Sequence, residues 1–159
     1  MGGGTRYKYG AVKVYAVGVY LDSGGVATLK RSGKRGQALF DAVSGSRTAK
    51  TLLLRFHRSV GGKAVVDALR DALKGVSKPL VERFEAALKA VLGESVARGA
   101  QLYLTCKADS LYVSDAAAPG QTVGGKGLCL ALFGVYLGKQ PVSQAVKDGF
   151  EAGFAALAA

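Results

Sequence analysis

The stretch Lys13-Val14-Tyr15-Ala16-Val17-Gly18-Val19-Tyr20-Leu21-Asp22 decides the fold. Val12, Val14, Ala16, Gly18 and Tyr20 alternate with Lys13, Tyr15, Val17, Val19 and Leu21, and both sets are largely apolar. β-branched and aromatic side chains dominate them. Such a segment reads as a long strand covered on both sides.

Asp22-Ser23-Gly24-Gly25 reads as a turn, Val26 to Leu29 as a short strand, and Gly33 to Gly36 as a loop. Gln37 to Val43 fits a short helix. Lys50 to Arg58 is a strong strand, carrying Leu52, Leu53, Leu54 and Phe56. Gly61-Gly62 opens a helix with Val65, Val66, Leu69, Ala72, Leu73 and Val76 on one face, and Gly75 ends or bends it. Ser77 caps the next helix, with Pro79 in its first turn and Gly93 at its stop. Its apolar stripe is Val81, Phe84, Leu88, Val91 and Leu92. Gln101 to Lys107 and Leu111 to Ser114 form a strand pair around the turn Ala108-Asp109-Ser110. Gly120 to Gly125 is a loop with a strand scrap at Thr122-Val123, and Gly127 to Leu137 is a buried helix. After Pro141, Ser143 caps a last helix with Val146, Phe150, Phe154 and Leu157 as its buried stripe. Segregated runs of strands and helices predict an α+β fold, with helices packed on an antiparallel sheet.

The chain has 159 residues and 49% apolar content, which suits one domain with a real core. No apolar run reaches the roughly 18 residues of a membrane span. MGGGTRYKYG lacks the apolar region of a signal peptide. A net charge of +11 invites an anionic partner, but the cations are dispersed, as in Lys30, Arg31, Lys34, Arg35, Arg47 and Lys50, and read as a solvated basic surface. Cys106 falls in a strand pattern and Cys129 in a helical one; they read as small hydrophobes rather than a disulfide framework, with a reducing compartment as the default.

Catalytic and binding motifs are few. GQTVGGKG matches a phosphate loop at Gly120, Gly125 and Lys126, but Gly127 stands where a magnesium-holding hydroxyl belongs. His57 is the only histidine, and no G-x-S-x-G signature accompanies it. Asp67, Asp71, Glu82 and Glu85 lie on polar helix faces, where solvated roles suffice. Arg6-Tyr7-Lys8-Tyr9 mixes cations with aromatics without the fuller motif of an RNA-reading sheet.

Four blocks carry a resemblance. Lys13 to Asp22 looks like the signature strand of the chalcone isomerase family, and Thr5-Arg6-Tyr7-Lys8 resembles its arginine-bearing strand. KTLLLRFHRSV at Lys50 to Val60 and LFGVYLGKQPVS at Leu132 to Ser143 resemble two later family blocks, in the same order. The resemblance covers nearly the whole chain. It implies a large antiparallel sheet with helices layered on one face and a ligand cleft between them.

The family's enzymes cyclise chalcones to flavanones by attack of a phenolate on an enone. They resemble one another in an arginine, a strand threonine, a tyrosine and an asparagine near the first long helix, and a late Ser or Thr. Arg6 matches the arginine, whereas Tyr15, Gly61, Ala68 and Val135 stand at the other four places. Arg6 with Tyr15 instead resembles the fatty-acid-binding branch, where the pair implies a clamp on a carboxylate. The expectation is a single domain over residues 1–159 that binds a fatty acid or apolar phenolic acid through Arg6 and Tyr15. No catalytic residue, metal, cofactor or nucleic-acid partner is expected, and a monomer is. The alternatives are a chalcone–flavanone isomerase and an accessory binder of polyketide or flavonoid intermediates. The expected compartment is the chloroplast if a presequence has been removed, and the cytoplasm otherwise.

Overall fold

A computed structural model describes residues 2–8, 12–73, 75–115, 119–139 and 141–158, with side chains from 15 to 156 within those segments. Tyr9 and the side chains of Arg6, Tyr7, Lys8, Val12, Lys13, Val14 and Leu157 lie outside the described residues.

The strands are β1 (Gly2–Lys8), β2 (Val12–Leu21), β3 (Lys50–Phe56), β4 (Val60–Gly61), β5 (Ser95–Val96), β6 (Gln101–Lys107), β7 (Ser110–Ser114) and β8 (Gln121–Gly124). The helices are α1 (Ser23–Ser32), α2 (Gly36–Gly45), α3 (Gly62–Ala72), α4 (Lys78–Leu92), α5 (Leu128–Leu137) and α6 (Gln144–Ala158). Six strands form one antiparallel sheet in the order β1-β2-β3-β6-β7-β8, and β4 and β5 form a separate ribbon. The helices pack on one face of the sheet, α4 over β7 and β8 and α6 over β1 and β2.

The register explains the single core. Tyr15, Val17 and Val19 of β2 stand opposite Phe56, Leu54 and Leu52 of β3. Leu54, Leu52 and Lys50 stand opposite Leu102, Leu104 and Cys106 of β6, and the row continues through Leu111, Val113 and Val123. All of these side chains are buried. The opposite face carries Thr51, Arg55 and Tyr103, and its Tyr20 and Tyr112 are 47% and 42% exposed. The expectation that β2 is covered on both sides is therefore corrected: helices cover one face. On the other, the Tyr20 ring folds back over Gly18, where an added Cβ would lie 2.7 Å from the ring.

Val26 to Leu29 is helix, not strand. Asp22 caps α1, its carboxylate accepting from the Gly25 N–H at 2.5 Å, and Gly33 ends the helix with φ 68°. The predicted loop at Gly120 to Gly125 is largely strand β8, held by its pairing with β7. At the start of α3 a Cβ on Gly62 would strike the Gly93 carbonyl, so glycine is required where the β4–β5 ribbon meets the helix. Leu73 caps α3 and Val76 lies beyond it.

Two further expectations are corrected. Cys106 and Cys129 are joined in a disulfide between β6 and α5. The fold carries α5 over the inner face of the sheet and brings together two cysteines 23 residues apart. Lys50 is not a solvated cation. It is 2% exposed, and its ammonium donates to the carbonyls of Val43, Ser44 and Ser46 at 2.8, 2.6 and 2.9 Å while lying 4.7 Å from the Phe133 ring. The lysine thus occupies the negative end of α2, where carbonyls lack helical partners. Lys147 does the same for α5, donating to Gly138 O and to Gln37 at 2.8 and 2.6 Å.

Opening the disulfide should lower stability by about 3 kcal/mol on the loop-closure scale. Denaturant melts with and without reductant check this, and identical midpoints would contradict it. Lys50→Met should cost about 2 kcal/mol by stranding carbonyl acceptors. Burial lowers the Lys50 pKa to about 8, from 10.5 in the unfolded chain. Between those values the unfolded state binds the extra proton, so this group's contribution rises with pH and is lost as pH falls through about 8. Wild type should gain stability relative to Lys50→Met from pH 8 to 10.5, read by urea melts across that range.

Candidate functional site

At the β1 end of the sheet, the inner face carries two buried phenols. Tyr15 of β2 is 6% exposed and meets the ring of its register partner Phe56 edge-on, with centroids 5.5 Å apart. Its hydroxyl lies 2.9 Å from that of Tyr136 on α5, which is fully buried. One phenol donates and the other accepts, and the acceptor keeps its own O–H as a donor toward a third group. Burial of a phenol away from water requires such partners.

α5 reads LCLALFGVYL, apolar all round, so it sinks between the sheet and α2. That placement delivers Tyr136 to Tyr15. The backbone of β1 sets Arg6 directly opposite Tyr15, next to a register shift between Arg6 and Tyr7.

The remaining family positions bring no polar side chain to this region. Gly61 is the N-cap of α3 and Ala68 lies on that helix's exposed face. Val135 is buried but has no hydroxyl; the neighbouring Tyr136 supplies one. Sequence reasoning missed Tyr136 by treating it as one more apolar residue of a buried helix. Its phenol inside a continuous apolar run was the available signal.

Other candidates fall away from the site. His57 is exposed just past β3. In the phosphate-loop lookalike, residues 121–124 are paired strand and the Gly120 N–H donates to the Tyr112 hydroxyl at 2.8 Å. Asp67, Asp71 and Glu85 belong to an ion-pair network with Lys63, Arg70 and Lys89 that ties α3 to α4. The hydrogen bond from Lys63 holds the Asp67 carboxyl below its ordinary range, and the one to Asp71 raises Arg70 further. Asp67 so held stays ionised and is a poor general acid. Among the described residues no cluster of three His, Cys, Asp or Glu could hold a metal, and no helix is long and apolar enough to cross a membrane.

The model of the family described as chalcone isomerase-like matches residues 1–150. No curated protein matches the chain. Among solved structures, the Arabidopsis thaliana fatty-acid binding protein AtFAP1 superposes with a TM-score of 0.83 at 22% identity, covering 99% of this chain and 88% of that one. The shared architecture is thus an α+β fold with helices on one face of an antiparallel sheet, resembling that of a fatty-acid binding protein. A family match across nearly the whole length and a superposition that spans the same elements agree: the chain belongs to the chalcone isomerase-like family.

Proposed function

We propose that the protein is a non-catalytic binder of a fatty acid or similar apolar carboxylate, held between the sheet and the helices with its head group at Arg6 and Tyr15. The observation that carries this reading is the buried Tyr15–Tyr136 hydroxyl pair at the register level of Arg6. Arg6 is the backbone register partner of Tyr15, and cross-strand pairs are the ones that interact in a sheet, which supports reading the two together. A guanidinium offers a planar, permanently charged fork to a carboxylate, and a phenol adds a neutral donor on a rigid ring. The second phenol backs the first and fixes its orientation. The neighbouring Val17 and Phe56 are apolar, as an acyl chain requires.

The cyclase reading is weakened by the same geometry. Stabilising a developing enolate needs donors aimed at it. The positions of two family side chains hold Gly61 and Ala68, and both are exposed. The fold of AtFAP1, whose name records fatty-acid binding, supports the carboxylate reading.

Extraction of the purified protein should release an acyl lipid detectable by mass spectrometry. Arg6→Ala should weaken fatty-acid binding by about ten- to hundredfold, the range for a lost charge-assisted hydrogen bond, and Tyr15→Phe by a few-fold. Calorimetry measures both, and unchanged affinity in Arg6→Ala would sink the clamp. With chalcone as substrate, the absorbance should decay at the spontaneous rate; clear acceleration would favour the isomerase. A ligand series comparing acyl with phenolic acids separates the fatty-acid binder from an accessory binder of flavonoid intermediates.

A further inference from the structure

A cavity far along the sheet from Tyr15 lies where the α2–β3 connection meets the β6–β7 turn and the start of α5. It has a volume of about 400 Å³, and Arg47, Lys50, Asp109, Lys126 and Cys129 are among its lining residues. Three cationic residues and one carboxylate are among its lining, and that carboxylate, Asp109, is 3.5 Å from the Arg47 guanidinium. The disulfide is presented asymmetrically. Cys129 is 6% exposed and lines the cavity, whereas its partner Cys106 is fully buried on β6 and does not line it. Lys50 is the direct register partner of Cys106, and both side chains are buried.

We propose that this cavity is a thiol-exchange site, in which a small anionic thiol attacks Cys129 and is retained there as a mixed disulfide. The incoming thiolate forms a bond to Cys129 Sγ as the Cys129–Cys106 bond breaks. The electron pair of the broken bond leaves on Cys106 Sγ as a thiolate. No net oxidant or reductant beyond the incoming thiol is consumed, and return of the Cys106 thiolate onto Cys129 expels the thiol and restores the disulfide. Attack at Cys129 rather than Cys106 follows from its place in the cavity lining. Departure falls to Cys106, whose cross-strand partner is the cationic Lys50, because a lower leaving-group pKa speeds exchange. The exposed cations Arg47 and Lys126 select for negative charge on the thiol, since a cationic cleft raises the local concentration of anions. None of these residues belongs to the proposed carboxylate clamp, so the two sites fail or stand independently.

The probe is reduced glutathione, an anionic thiol, added to the oxidised protein and quenched with an alkylating agent before peptide mass spectrometry. Glutathione should appear on Cys129 and the alkyl group on Cys106. In the double variant Arg47→Ala/Lys126→Ala, reaction with glutathione should slow by about tenfold, while reaction with neutral 2-mercaptoethanol should stay within about twofold of wild type. Circular dichroism confirms that the variant is folded. The proposal is overturned by glutathione on Cys106, by rates unchanged or slowed equally for both thiols, or by failure of the two cysteines to pair when the protein is incubated with oxidised glutathione.

Discussion

The inner face of the sheet carries a buried, largely apolar surface from β2 to β8, interrupted at Lys50, and the helix layer is arranged to cover it. Tyr15, Val17 and Val19 begin this surface, Leu52, Leu54 and Phe56 continue it, and Val123 ends it. A strand period of two leaves no freedom here: a shift of one residue in β3 would put Thr51, Leu53 and Arg55 under the helices. The polar face can then remain open to solvent, and β2 needs only Tyr20 lying over Gly18 to close its own gap.

Within that apolar layer the few polar groups are all tied down, and each tie fixes an element. Lys50 binds the end of α2 to the start of β3, and Lys147 binds the end of α5 to α2 through Gln37. Tyr15 and Tyr136 bind β2 to α5. The disulfide binds the other end of α5 to β6. α5 is therefore held at both ends, by a covalent bond near its first turn and a phenol pair near its last. Among the described residues no buried side-chain nitrogen or oxygen is left without a partner. The proposed ligand site uses one of these ties and the proposed thiol site uses another, on the same helix.

Much of this was legible in the sequence. The strands β2, β3 and β6 and the helices α4, α5 and α6 announce themselves by apolar periodicity, because packing against one core is what their patterns record. α1 was not legible, since Gly24, Gly25, Val26 and Thr28 are weak helix formers. What makes it a helix is the Asp22 cap at one end and the left-handed Gly33 at the other. β8 reads mostly as loop from its own residues, because a four-residue strand is defined by its neighbour, not by its own pattern. The site was half legible. Tyr15 was found through its place on the signature strand, whereas Tyr136, Lys50 and the cysteine pairing depend on contacts between segments far apart in the chain.

The central claim is that a carboxylate binds in its charged form beside Arg6 and the two phenols. Carbon-13 NMR of a bound fatty acid labelled at its carboxyl carbon tests this most directly. A guanidinium and hydrogen bonds to the charged form both hold a carboxyl pKa down. The account predicts one bound resonance that stays at the ionised position through the pH range where the free acid protonates, and that moves in Tyr15→Phe. A bound resonance that titrates like the free acid, with no response to Tyr15→Phe, would contradict it.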